Sequence, residues 1–151
     1  MPIDPDRNRL GVARWFGATD CIDGRAGDPA GDVLKLTDGI GVDCAIEAVG
    51  IPVTFELCTS IVAPGGVVTN IGVHGVKADL HLEKLWDRNI AITTRLVDTS
   101  STQMLMRTVG AGRLDPKHLI THRYNLDDVA SADTFARAAD THALKVIIEV
   151  A

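Results

Sequence analysis

The feature that most constrains this chain is an alternation of short apolar runs with segments of helical spacing. "VDCAIEAVG" (42–50), "GVVTNIG" (66–72), "IAITTRLV" (90–97) and "LKVIIEV" (144–150) are rich in Val and Ile and read as strands. The stretches between them are long enough to carry crossover helices, which parallel strands require. The pattern predicts βαβ units and a parallel sheet, with strands buried on both faces and therefore apolar almost throughout.

Local signals set the helices. Asp6 or Asn8 can cap a helix running to about Phe16, with Leu10, Val12, Ala13 and Phe16 on its apolar side and Gly17 as its stop. A short strand is expected over 20–23, then a helix over 29–37 closed by Asp38-Gly39. Pro52 opens a helix through Val62, a first-turn position where its missing N–H costs nothing. "APGG" (63–66) reads as a turn, 83–88 as a short helix and 102–111 as a helix closed by Gly112. An extended segment over 118–126 and a helix over 127–140 complete the expected order.

Composition excludes several classes. The 151 residues suit one domain, and a net charge of −5 with no Lys/Arg run argues against non-specific nucleic-acid binding. No apolar run reaches membrane-spanning length, and the opening MPIDPDRNR is polar, so no signal peptide is expected and the cytoplasm is the expected compartment. Cys21, Cys44 and Cys58 lie far apart without a CxxC pair; they are expected to be free thiols packed as small hydrophobes rather than metal ligands.

In open α/β sheets, ligands bind beyond the carboxyl ends of the strands. This rule selects Asp4, the turn Ala48-Val49-Gly50, the turn Gly72-Val73-His74, and Thr94 to Leu96. Gly50 and Gly72 either let a flat ligand approach the backbone or simply turn the chain. Asp4 either accepts the two hydroxyls of a ribose or caps a helix, and Arg9 either covers that sugar or is a solvated helix charge.

"DPDRNRLGVARWFGATDCID", "GVDCAIEAVGIPVTFELC", "APGGVVTNIGVHG" and "ALKVIIEV" together resemble the C-terminal, nucleotide-binding part of zinc-dependent alcohol dehydrogenases of the medium-chain dehydrogenase/reductase family. The resemblance spans nearly the whole chain. It implies an incomplete Rossmann-type doubly wound parallel sheet lacking its first strand and glycine-rich loop. It implies NAD as cofactor, with Asp4 as the adenosine-ribose acid and Arg9 beside it. Ala48, Val49 and Gly50 match the turn that passes the cofactor, and Ile71, Gly72 and Val73 match the wall near the nicotinamide ribose. Thr94 and Leu96 match the segment whose backbone meets the carboxamide, and Lys145 matches a residue reaching back to the pyrophosphate. Without the resemblance, Lys145 reads as an edge-strand charge.

Zinc, by the same resemblance, belongs to a catalytic domain that these 151 residues do not contain, so no catalytic or metal residue is assigned. Residues 1–151 are then expected to form a truncated NAD-binding domain, with 118–126 and 144–150 directed toward that domain. Residues 1–40 are expected to dock more loosely than 42–151. A dinucleotide, a second copy of the chain joined along the 90–97 strand edge, and a separate chain supplying the other half are the expected partners. The implied reaction is hydride transfer between an alcohol and NAD in the intact enzyme; a catalytically inactive remnant or interaction module is the alternative. His74 is open between a place near the cofactor and the loop surface, and His122 is expected to be structural.

Overall fold

The computed structural model describes residues 1–96, 99–128 and 141–150. The chain divides into two compact units, Asp28–Asp98 and the pair Met1–Gly27 with Thr99–Ala151. Parallel strands alternating with helices make the fold α/β, of Rossmann type.

The first elements of the chain, β1 (Ile3–Asp4), α1 (Arg7–Trp15) and β2 (Ile22–Asp23), belong to the second of these units. Asp6 caps α1 by accepting the Asn8 N–H at 2.8 Å, and Gly17 (φ 94°) follows its end. Leu10 of α1 and Ile22 of β2 are buried, and β1 and β2 pair in parallel.

The 28–98 unit starts at α2 (Pro29–Leu36), whose first turn is capped by Asp28, its Oδ1 accepting the Gly31 N–H at 3.0 Å. Asp38 (φ 51°) and Gly39 (φ 80°) then reverse the chain in the left-handed region, so the stop lies where Asp-Gly signals it. β3 (Val42–Glu47), α3 (Pro52–Ile61), β4 (Val62–Asn70) and β5 (Ala91–Thr94) follow. The strands form one parallel sheet in the order β3-β4-β5. Its core contains Val33, Ala45, Cys58, Ile61, Val62, Val68 and Leu85. Val33, Val62 and Val68 are fully buried, each contributing about 1.5–3 kcal/mol. Burial also pushes the Cys58 thiol up to about 11, which keeps it protonated and unreactive near neutral pH.

Two expectations are corrected here. The "APGG" segment is not a free turn but part of β4. Val42 pairs with Val62 and Cys44 with Val67, so an advance of two residues on β3 matches five on β4. This irregularity takes up the extra residues, with Gly65 at φ 78°. Nor is β3 buried on both faces: Ala45 and Glu47 are buried, whereas Asp43, Cys44 and Ile46 are exposed. α3 packs on β3, and from Cys44 to Glu47 successive side chains alternate between exposed and buried, as the pleat of a strand requires. Cys44 is therefore an exposed free thiol, Cys58 a buried one and Cys21 an intermediate one.

Later in the chain, α4 (Thr102–Gly110) forms as expected. The 118–126 segment divides into a short 3-10 turn, Pro116–Leu119, and β6 (Ile120–Asn125), which pairs in parallel with β7 (Lys145–Glu149). The segment expected to be a helix over 83–88 holds a shorter 3-10 turn, Leu82–Lys84. Most of the helix expected over 127–140 lies outside the described residues.

Candidate functional site

Glu47 organises the carboxyl end of β3. Its side chain is buried, and Oε1 accepts the N–H groups of Val49 (2.9 Å) and Gly50 (2.8 Å) and the Thr54 hydroxyl (2.6 Å). Burial alone raises its pKa. The Thr54, Gly50 and Val49 bonds and the nearby His74 outweigh that and hold it below the ordinary glutamate value. The main-chain oxygen of Glu47 accepts Ile71 N–H (2.8 Å) and Gly72 N–H (3.1 Å), so one residue fixes the turns after both β3 and β4.

The two turns press on one another. A Cβ on Gly72 would come within 3.0 Å of Glu47 Oε2 and of Gly50 N, and one on Gly50 would come equally close to Val73 O. Gly50 also has φ 90°. Both glycines are thus required by close backbone approach. His74 closes the cluster. Its Nε2 is 2.8 Å from Asn70 Oδ1 and 3.4 Å from Glu47 Oε2, and its ring meets Phe55 edge-on at 6.1 Å. Asn70 Nδ2 donates to Gly72 O at 3.1 Å, leaving Asn70 Oδ1 as acceptor and placing the His74 proton on Nε2.

Beside this cluster is an open cavity of about 200 Å³ lined by Asn70, Ile71, Gly72, Val73, Thr94, Arg95 and Leu96. Ile71, Gly72 and Val73, matched by the resemblance to a wall near the nicotinamide ribose, and Thr94 and Leu96, matched to the segment facing the carboxamide, thus line one cavity. Parallel pairing explains it: Asn70 lies opposite Thr94, so the ends of β4 and β5 open together. Ala48, Val49 and Gly50 form the adjoining turn.

Asp4 and Arg9 lie together in the other unit. Asp4 Oδ1 accepts Asp6 N–H at 2.7 Å, and its Oδ2 is 3.8 Å from Arg9 Nη1. Arg9 Nε is 3.9 Å from Asp6 Oδ2 and is buried without a hydrogen bond among the described residues. Asp6 also meets His142 Nδ1 at 3.1 Å; this bond, with the Asn8 N–H, holds its carboxyl below the usual range. A second open cavity, of about 340 Å³, is lined by Pro5, Asp6, Arg7, Asn8, Asp23, Arg25, Ala26 and His142. Arg7 Nε pairs with Asp23 Oδ2 at 2.9 Å along this cavity. Lys145 opens β7 opposite Ile120 and is exposed.

Sequence reasoning missed Glu47, Asn70, Asp23 and His142. The available signal at Glu47 was an acid at the last position of an apolar strand, immediately before Ala-Val-Gly.

The Zinc-binding dehydrogenase family profile matches residues 1–110. The chain belongs to that family. An alcohol dehydrogenase from Cupriavidus necator is 36% identical over 156 aligned residues, covering 99% of this chain and 42% of that protein. An NADP-dependent isopropanol dehydrogenase from Clostridium beijerinckii is 34% identical, covering 76% of this chain and 34% of that protein. The solved structure of zinc-dependent alcohol dehydrogenase 2 from Streptococcus pneumonia superimposes with a TM-score of 0.92 at 44% identity, covering 98% of this chain and 43% of that one. The chain thus spans about a third to two fifths of the length of these relatives.

Proposed function

We propose that this chain is the dinucleotide-binding portion of a zinc-type alcohol dehydrogenase, and that its cofactor is NAD. The observation that carries the reading is the convergence of Ile71, Gly72, Val73, Thr94 and Leu96 on one open cavity, beside glycine turns held by Glu47. The residues present fit a dinucleotide. Asp4 has one oxygen free of the Asp6 contact, and Arg9 has a buried Nε still without a hydrogen bond among the described residues.

NAD supplies the hydride acceptor when bound; the task of this portion is to bind and orient it. Among the described residues no three His, Cys, Asp or Glu side chains converge to hold a metal ion, so none is assigned to zinc. Preference for NAD over NADP follows from charge. Asp4 and Asp6 set carboxylates at the end of β1, where a 2′-phosphate would meet repulsion.

Fluorescence titration with NADH tests the reading. The expected dissociation constant is on the order of millimolar, roughly −4 kcal/mol. Asp4→Asn keeps an acceptor for Asp6 N–H while removing the charge, so it should weaken NADH binding and narrow the preference for NADH over NADPH. Absence of NADH binding, or an unchanged preference in Asp4→Asn, would overturn the assignment.

A further inference from the structure

We propose that His74 is a positioning residue: acting through Glu47, its protonation sets how firmly the 48–50 and 71–73 turns are held, and thereby tunes their affinity for an anionic dinucleotide. The affinity half of this inference rests on the reading above, whereas the turn half stands on the geometry alone.

The geometry offers the imidazole two acceptors. Nε2 lies 2.8 Å from Asn70 Oδ1 and 3.4 Å from Glu47 Oε2. Glu47 Oε2 is buried and has no hydrogen bond among the described residues, although Oε1 carries three. An under-used carboxylate oxygen in a buried place is costly, and a charged donor is its strongest available partner. Neutral His74 is held by Asn70, which in turn grips Gly72 O. Protonated, His74 carries a positive charge that draws it toward Oε2. The pair then changes from a net negative charge to neutral, at a carboxylate bonded directly to Val49 and Gly50.

The groups around the pair are few. Among the described residues, α3 presents Thr54 to Glu47 and Phe55 to His74, and its protonated Cys58 lies near enough to feel the Glu47 charge. Among the described residues, no Lys or Arg lies within ion-pair distance of Glu47. Neutralising a buried anion beside the cavity favours an anionic ligand, so NADH should bind more tightly on the acid side of the His74 transition. The expected change is about twofold or more, the scale of one unit charge acting through a largely aqueous dielectric.

Nuclear magnetic resonance of the isotope-labelled chain, titrated from about pH 5 to about pH 8, tests the turn half. The imidazole signals of His74 and the amide signals of Val49, Gly50, Ile71 and Gly72 should move with one shared midpoint. His74→Gln should abolish that transition at the amides while the signals of the β3-β4 ladder persist. Amides that titrate at a different midpoint from the imidazole in the unmodified chain, or a transition that survives in His74→Gln, would overturn the proposal. NADH affinity measured on both sides of the midpoint tests the rest. Tighter acid-side binding that becomes pH-independent in His74→Gln supports it, and equal affinity on both sides with moving turns overturns the tuning. If NADH binds at neither pH, the dinucleotide reading and the tuning both fall, and the resonance titration still decides the turn half.

Discussion

Glu47 is the residue on which most local order depends, because its oxygens serve both turns. Glu47→Ala leaves the buried Gly50 N–H and the part-buried Val49 and Thr54 donors without their acceptor, and should destabilise the fold by about 2 kcal/mol in urea unfolding. Its pH dependence has a definite sign. The folded pKa is lowered below 4.5, so the contribution is complete above that value and is lost as pH falls through the lowered folded value. Unfolding midpoints of the unmodified chain should therefore drop on acidification more steeply than those of Glu47→Gln. The glycines give a second pair of outcomes at this scale. Gly72→Ala forces a methyl against Glu47 Oε2 and Gly50 N, and should cost about 1–3 kcal/mol. Gly11 lies within α1, and a methyl added there would meet nothing within 4 Å. Gly11→Ala should raise stability by about 0.5–1 kcal/mol. Thermal melts of the two variants should move in opposite directions.

At the scale of elements, the end of α3 is closed locally by Val62 N–H on Cys58 O, and Arg88 adds a clamp from further along the chain. Its Nη1 donates to Thr59 O at 3.2 Å and its Nη2 donates to Val62 O, while its own carbonyl accepts Gly65 N–H at 2.8 Å. Arg88→Ala should cost about 1–3 kcal/mol by chemical unfolding. Arg88→Lys should recover only part, since an ammonium does not reproduce the planar fork. That clamp was not legible in the sequence, because it joins residues 29 and 26 positions apart that no periodicity links. What was legible has local causes. Asp6, Gly17, Asp38-Gly39 and Pro52 act within a turn of their helices, and α1, α2 and α3 lie where those residues place them. "APGG" misled because its turn chemistry is real, with Gly65 left-handed, yet pairing with β3 keeps it inside a strand. Glu47 was passed over because its partners are mostly backbone amides, which leave no mark in residue type. The cavity-lining residues at the ends of β4 and β5 were named from the strand-end rule and the family resemblance, and parallel register brings them level.

At the scale of the whole chain, the described residues of the two units differ in how much apolar surface they bury. Of the buried hydrophobic residues, Val33, Ala45, Cys58, Ile61, Val62, Ala63, Val68 and Leu85 lie in 28–98, whereas Leu10, Ile22 and Ala143 lie in the other unit. The sequence suggested a division near residue 40, with 1–40 the looser part. The structure instead groups 28–98, where α2 packs on α3 and Val33 is fully buried, and sets 99–151 with 1–27. Local opening free energy follows buried apolar contact and protected backbone bonds. Amides of α2, β3, α3 and β4 should therefore exchange with deuterium more slowly than those of α1, β1, β2 and β6. Slow exchange should begin at α2 rather than after residue 40. Uniform protection across both units would show that they open as one; protection of α2 no greater than that of α1 would show that the α2–α3 packing does not stabilise it.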